Sequence, residues 1–187
     1  MCTLCEEPLS DHGQARRRIV FAGAAAGALL LAPAAALAAR RPRALDFYHT
    51  HTGQRLRVTY AEGDLLIPGA LEEINEFLRD FRSGEAHPMD PELLNILHQL
   101  QTATGGKGPY EIISAFRSPQ TNNMLRANSD GVAQRSLHME GRAMDVRLKG
   151  VETRKLRQAA LALQAGGVGY YQRSDFIHVD TGRVRFW

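Results

Sequence analysis

Two stretches in the first third of the chain alternate hydrophobic and polar positions, and each ends in a glycine. They read "LDFYHTHTG" (residues 45–53) and "QRLRVTYAEG" (residues 54–63). Alternation with a period of two predicts half-buried strands, and a glycine between two such strands predicts a turn. The pattern therefore predicts a β-hairpin over residues 45–63.

The pattern then changes to helical spacing, with apolar residues recurring every three or four positions over residues 69–82 and 91–104. Asp90 followed by Pro91 is typical of a helix start, because the aspartate caps free N–H groups and proline suits the first turn. Gly105 and Gly106 close this second helix. Further helices are predicted over residues 118–128 and 150–167.

Short apolar or alternating runs predict four more strands. They are "YEIISAF" (110–116), "GRAMDVRL" (141–148), "VGYY" (168–171) and "FIHVDTG" (176–182). Strands that are interrupted by helices, without a regular β–α alternation, predict an α+β fold. We expect a central, mainly antiparallel sheet with flanking helices.

The N-terminal segment has a different character. Arg16–Arg18 precede an Ala-rich apolar run that ends in Ala36-Leu37-Ala38. A basic patch, an apolar run and a small-x-small ending predict an export signal, and the paired arginines indicate the twin-arginine type. We therefore predict a signal over residues 1–38, a single domain over residues 39–187, a periplasmic location and no stable membrane insertion after cleavage. An uncleaved membrane anchor is the alternative.

Charge and cysteine content narrow the function classes. The net charge is +3, and no Lys/Arg run is long enough to predict binding to nucleic acid. The only two cysteines, Cys2 and Cys5, lie inside the predicted signal. A metal site in the predicted domain must therefore use His, Asp or Glu. The sequence makes no prediction of the oligomeric state.

The candidate chemistry lies in two segments. "SLHMEGRAMD" contains His138, Gly141 and Asp145, and "FIHVD" contains His178. If the strand of His178 lies antiparallel beside residues 143–148, His178 comes next to Asp145. Two histidines and one carboxylate leave a fourth zinc position for water, whose pKa a bound zinc ion lowers to about 7. A strand histidine is also commonly a hydrogen-bonded core residue, so spacing alone leaves both interpretations open.

Several segments resemble one known family. "SLHMEGRAMD" resembles the S-x-H-x-x-G-x-A-x-D signature of zinc D-Ala-D-Ala metallopeptidases, which share a fold with lysostaphin-type peptidases and the hedgehog signalling domain. "SAFRSPQTN" resembles the segment that carries their active-site arginine. "FYHTHTG" and "GGVGYYQRSDFIHVDTGRVRFW" are similar to the two ends of the YcbK/MepK-like branch of murein endopeptidases. The resemblance covers about residues 45–187.

The resemblance implies roles for individual residues. His138, Asp145 and His178 would be the ligands of Zn²⁺, and Arg117 would hold the substrate and the developing oxyanion. A fixed cation at that place stabilises negative charge on a tetrahedral intermediate. Ser136 would hold the loop or bond to a ligand.

The general base has two candidates. Relatives often carry an acid or histidine three residues before the last ligand, and Asp175 stands there. Residues three apart in a regular strand face opposite sides, so Asp175 reaches the site only if the chain bends. Asp180, two residues after His178, shares its face and would act as base or would orient a ligand.

We therefore predict a periplasmic zinc metallopeptidase whose partners are the cross-link peptides of peptidoglycan. Two alternatives stay open: a non-catalytic, zinc-containing peptidoglycan-binding module, and a D-Ala-D-Ala carboxypeptidase.

His49 and His51 form an H-x-H pair that we interpret as core or cleft-lining, with metal binding as the lesser option. Trp187 is expected to pack against the sheet.

Overall fold

The structure is a computed structural model that describes residues 41–128 and 131–187. The predicted export signal over residues 1–38, with Cys2 and Cys5, lies outside the described residues. Among the described residues, we find no helix with the length and hydropathy of a membrane span.

One eight-stranded sheet organises the described residues, in the strand order β3-β2-β1-β4-β5-β7-β6-β8. The predicted hairpin is confirmed, since β1 and β2 pair antiparallel with Leu45 opposite Val58. β1 pairs with β4, and β6 with β8, in parallel, and the other neighbours are antiparallel. The strands are β1 (Pro42–His49), β2 (Arg55–Glu62), β3 (Leu65–Leu66), β4 (Tyr110–Ser114), β5 (Ala143–Leu148), β6 (Gly167–Tyr171), β7 (Phe176–Asp180) and β8 (Arg185–Phe186).

Four helices of the described residues flank this sheet, so the predicted α+β fold is confirmed. They are α1 (Pro68–Phe77), α2 (Pro91–Thr104), α3 (Pro119–Asn128) and α4 (Thr153–Leu163). The Asp90 side chain accepts a hydrogen bond from the N–H of Glu92, as expected for the cap of α2. Ser118 likewise accepts from the N–H of Thr121 at the start of α3.

The core lies between the sheet and the apolar faces of its helices. Six side chains of α2 are buried, five of them apolar, and α2 also packs against α4 and β1. Two buried tyrosines reach from the sheet to α2, where the Tyr60 and Tyr110 hydroxyls donate to the carbonyls of Leu94 and Leu97. Their rings add apolar contact while their hydroxyl groups keep a partner.

Several predicted boundaries are wrong. The first helix was expected to reach residue 82 but ends at Phe77, and the chain turns so that the Asp80 carboxylate meets Ser118. β4 ends at Ser114 rather than at residue 116, because the backbone leaves the sheet where Phe116 bonds to Leu78. The short strands β3 and β8 were not predicted, since two residues carry too little periodicity to be recognised.

Candidate active site

Two neighbouring strands and one short helical turn bring three candidate ligands together. Asp145 in β5 is the direct partner of His178 in β7, which confirms the expected antiparallel pairing. His138 comes from the 3₁₀ helix Leu137–Glu140, which precedes β5. All three side chains are buried, and among the described residues they form the one group of three His, Cys, Asp or Glu residues close enough to share a metal ion.

The three donor atoms form a compact triangle. His138 Nε2 lies 3.3 Å from His178 Nδ1 and 3.4 Å from Asp145 Oδ1, and His178 Nδ1 lies 2.9 Å from Asp145 Oδ1. Donor atoms bound tetrahedrally to one zinc ion at about 2.0–2.1 Å lie roughly 3.3–3.4 Å from each other. Two sides of the triangle match this separation and the third, at 2.9 Å, is shorter, so a small side-chain shift lets the three atoms share one zinc ion.

The imidazole nitrogens that face away from the triangle also indicate a metal site. His138 Nδ1 lies 2.7 Å from the carbonyl oxygen of Ala115, and His178 Nε2 lies 2.9 Å from Asp180 Oδ2. These oxygens only accept, so each outer nitrogen carries the hydrogen. In the neutral rings, His138 Nε2 and His178 Nδ1 then direct lone pairs toward the carboxylate of Asp145. Three lone-pair donors that meet in this way need a cation between them.

The pKa shifts within the cluster also favour a cation at this site. Burial by itself would raise the pKa of Asp145, but His138 and His178 outweigh it and hold the pKa well below its usual range. Burial by itself would lower the pKa of His178, yet the adjacent carboxylates of Asp145 and Asp180 raise that pKa. The site thus keeps the carboxylate ionised and attracts positive charge.

Gly141 gives the ligand loop its sharp turn. Its φ is +66°, a left-handed conformation that side-chain-bearing residues rarely adopt. A Cβ atom there would also overlap the carbonyl oxygen of Pro88. The Gly141 carbonyl accepts from the N–H of Asp90, which ties the loop to the start of α2. The predicted role of this glycine, a tight turn between His138 and Asp145, is confirmed.

Asp180 lies behind His178. It is buried, and its carboxylate accepts from the backbone N–H groups of Gly167 and Gly182 at 3.0 and 2.8 Å. Arg185 adds two contacts of 3.0 and 2.7 Å. Burial opposes ionisation, but the hydrogen bonds from His178 and Arg185 outweigh it and lower the pKa of Asp180. With both oxygens engaged, Asp180 holds the imidazole of His178 in its tautomer.

Asp175, the first base candidate, is not brought to the cluster. It lies after a short 3₁₀ turn in a left-handed conformation, with a φ of 52°. The chain does bend there, as the hypothesis required. The carboxylate, however, accepts from the Thr153 hydroxyl, lies 3.9 Å from Arg147, and does not line the cavity that contains the ligands.

Arg117 stands beside the cluster, with its Nη2 3.9 Å from Asp145 Oδ2. Nη2 also donates to Ser114, Nη1 donates to Asn122, and the buried Nε has no partner among the described residues. Its backbone N–H donates to the carbonyl of His138, which joins the arginine loop to the ligand loop. Burial lowers the pKa of this guanidinium, and Asp145 partly offsets that effect.

A cavity of about 510 Å³ opens onto these groups. Its lining includes the three candidate ligands and Ser136, and three arginines: Arg117, Arg135 and Arg185. Asp145 carries the only acidic side chain among the described lining residues. The cavity therefore offers positive charge to a ligand, in addition to the donor triangle.

Sequence reasoning missed two contributors. Asp80 is buried and accepts from the Ser118 N–H and hydroxyl at 3.0 and 2.7 Å, which anchors the residue after Arg117. Trp187 was expected to pack on the sheet; it does so, and also lines the cavity beside His178. His49 and His51 contact each other and Phe81 instead of the cluster, in agreement with the core or cleft interpretation.

Taken together, an α+β sheet that presents two histidines and a carboxylate to a cavity, next to a buried arginine, has the arrangement of a metal-dependent peptidase site. The chain belongs to the family whose model is described as "Peptidoglycan L,D-endopeptidase MepK" (Peptidase_M15_2), which matches residues 37–187.

Individual relatives agree with this assignment. The chain is 42% identical over 174 residues to "Peptidoglycan L,D-endopeptidase MepK" of Escherichia coli (strain K12), an alignment that covers 92% of this chain and 96% of the relative. The protein of the same name from Shigella flexneri gives the same values. The "Probable peptidoglycan L,D-endopeptidase MepK" of Haemophilus influenzae is 41% identical over 148 residues, 79% of this chain and 80% of its own length.

Proposed function

We propose that this protein is a zinc-dependent murein endopeptidase that hydrolyses cross-link peptides of peptidoglycan in the periplasm. The observation that carries the proposal is the triangle of His138 Nε2, Asp145 Oδ1 and His178 Nδ1, which opens onto the cavity beside Arg117. The names of the relatives point to an L,D bond. We therefore propose a scissile amide between an L- and a D-configured centre, as in a link between two diaminopimelate residues.

The donor set would hold the metal through His138, Asp145 and His178. A zinc ion, when bound there, supplies a Lewis acid for the scissile carbonyl and lowers the pKa of water. Asp180 keeps Nε2 of His178 protonated and thereby directs Nδ1 to the ion. The Ala115 carbonyl does the same for His138 through its Nδ1.

Arg117 contributes charge stabilisation in this proposal. Hydrolysis forms a bond from the water oxygen to the carbonyl carbon and breaks the C–N bond, while a proton passes to the leaving nitrogen. Negative charge develops on the former carbonyl oxygen during this step. A buried guanidinium that is held by Ser114 and Asn122 is oriented before the reaction and stabilises this charge without reorganisation.

The proton acceptor of the mechanism has two candidates, Asp180 and Asp175. Both oxygens of Asp180 are already engaged, so we assign it to the orientation of His178. Asp175 would have to leave Thr153 and Arg147 to reach the cavity. The Asp175→Asn variant, described in the Discussion, decides whether it does.

The charge of the cavity supports an anionic peptide as substrate. Arg185 is neutralised by Asp180, and Arg117 lies near Asp145, but Arg135 is exposed and has no acidic partner among the described residues. Peptide stems that carry free carboxylates suit such a lining.

For the whole chain, we propose that residues 1–38 direct export by the twin-arginine route and that residues 39–187 form the peptidase domain.

The test is the digestion of cross-linked muropeptides of defined linkage with the purified protein. We expect monomeric products from the L,D-linked substrate, loss of activity after chelation and recovery with zinc. A product of D-alanine alone from an uncross-linked pentapeptide would instead identify a carboxypeptidase. Binding to sacculi without any product from any linkage would contradict the enzymatic proposal.

A further inference from the structure

The aromatic ring of Trp187 lies next to a candidate metal ligand. Its centroid is 5.2 Å from that of the His178 imidazole, and it lines the same cavity. The indole Nε1–H donates to the Tyr171 hydroxyl at 3.2 Å, and Tyr171 also lines the cavity. Yet Trp187 remains 47% exposed. A large apolar surface therefore faces solvent directly beside the reacting groups.

The fold holds this ring in a defined place. The Trp187 N–H donates to the Val168 carbonyl, and its carbonyl accepts from Tyr170, so the backbone continues the pairing of β8 with β6. The ring lies over Gly169, where an added Cβ would come within 2.7 Å of the indole. The Arg185 guanidinium lies 5.0 Å from the ring centroid. A glycine beneath the ring and a cation beside it fix a side chain that could otherwise rotate away.

The neighbouring aromatic residue provides an internal comparison. Phe186 is more exposed than Trp187, at 71%, but it lines a separate apolar groove with Val184 and Leu161. Consecutive residues of a strand point to opposite faces, which explains why only one of the two faces the cavity. Trp187 and Phe186 are thus adjacent, partly exposed aromatic residues that face different sides of the strand.

We propose that Trp187, together with Tyr171, forms the wall of the cavity that binds the aliphatic part of the substrate peptide next to the scissile bond. This inference rests on the proposed function and adds a specificity-determining surface to it. A fixed and partly exposed aromatic ring loses little conformational entropy when it contacts a ligand, and it gains from the apolar surface that is covered. The arginines of the cavity then bind carboxylates, while Trp187 and Tyr171 bind methylene and methyl groups.

The single tryptophan of the chain makes a direct measurement possible. In the chelator-treated full-length protein, where turnover is stopped, titration with a cross-linked muropeptide should produce a saturable change in tryptophan fluorescence. The matched control is the double variant Trp187→Phe/Phe186→Trp, which moves the one indole to the other face of the strand. We expect no saturable change in that variant. An unchanged signal in the unmodified protein at concentrations where it binds substrate would overturn the proposal.

Kinetics of the zinc-loaded protein provide the second measurement. Trp187→Ala should raise KM about tenfold with a smaller effect on kcat, as expected when a central aromatic contact is lost. Trp187→Phe should recover part of the affinity, and Phe186→Ala should leave both constants unchanged. Gly169→Ala keeps the indole but displaces it, so it should raise KM in the same direction as Trp187→Ala.

The outcomes separate the two proposals. If the unmodified protein cleaves no cross-linked muropeptide, the proposed function fails whatever Trp187 does. If it cleaves the substrate but Trp187→Ala has an unchanged KM, only the role of Trp187 fails. A loss that appears only in kcat, together with loss of bound zinc, would show that Trp187 merely supports His178 and would also overturn the inference.

Discussion

Asp145 and His178 are direct partners across the β5–β7 strand pair, and their side chains meet with Oδ1 2.9 Å from Nδ1. Backbone pairing alone thus fixes two of the three donor atoms. Residues opposite each other in an antiparallel pair have side chains on the same face, so the distance between these ligands depends on the strand register. The third donor, His138, needs the loop that Gly141 shapes.

The first expectation concerns the metal. His138→Ala removes one of three donors, and we expect the purified variant to lose bound zinc and all detectable peptidase activity, because two remaining ligands hold zinc weakly. Elemental analysis and muropeptide digestion check this. His98→Ala, a half-buried histidine of α2 outside the cavity, is the matched control and should retain both. Full activity in His138→Ala would refute the proposed ligand set.

Arg117→Ala should lower kcat by about 10²–10³-fold, the usual cost of removing one preorganised donor from an oxyanion site. Arg117→Lys should recover little, since an ammonium group cannot reproduce the contacts to Ser114 and Asn122 together. Steady-state kinetics on a defined muropeptide measure the effect. The control is Arg126→Ala, an exposed arginine of α3. Equal losses in both variants would contradict a specific role for Arg117.

Asp80→Asn tests the anchor behind Arg117. Hydrogen bonds from Thr121, Ser118 and Arg82 outweigh the effect of burial and lower the pKa of Asp80 from 3.8 to about 2. Because the folded pKa lies below the unfolded one, the stabilisation is complete above about pH 4 and is lost as the pH falls toward 2. At neutral pH we expect a loss of about 1–3 kcal/mol of unfolding free energy.

Urea unfolding as a function of pH measures this contribution. The ordinary pKa of 3.8 and the folded pKa of about 2 define the pH range of the effect. Between pH 4 and pH 2, the unfolding free energy of the unmodified protein should fall more steeply than that of Asp80→Asn. The variant should also have a lower kcat, because Asp80 no longer anchors Ser118, the residue beside Arg117. Parallel pH curves would show that Asp80 contributes no ionisation-linked stability.

Asp180→Asn should weaken zinc binding by about 10–100-fold, the usual effect of removing a partner that orients a ligating histidine. The amide oxygen can still accept from His178, but the negative charge that also binds Arg185 is lost. Competition with a chromophoric chelator measures the zinc affinity. With zinc in excess, activity should largely recover; a loss that persists would instead favour Asp180 as the proton acceptor.

The Asp175→Asn variant tests whether Asp175, rather than Asp180, is the general base. Because this side chain is engaged by Thr153 and Arg147 outside the cavity, we expect kcat to change by less than about threefold, whereas loss of a general base costs about 10²–10⁴-fold. The pH dependence of kcat/KM is the second measurement and should be unchanged. A loss of the larger size would identify Asp175 as the base and would require its side chain to move into the cavity.

Many features of this protein follow from local patterns of residues. Alternation and helical spacing predicted the hairpin and the principal helices, and Asp90 with Pro91 marked a helix start, because caps and periodicity are local properties. The motif "SLHMEGRAMD" and the apolar strand around His178 identified a set of possible ligands. Local chemistry and recognisable segments were sufficient for these inferences.

The contacts between distant parts of the chain became visible in the folded protein. It ended α1 early and joined Asp80 to Ser118, placed Trp187 over Gly169 beside His178, and engaged Asp175 with Thr153. It also placed the Asp180 carboxylate against the outer nitrogen of His178. A side chain's partner depends on which elements pack together and in which register, and that information lies in no local pattern of residues.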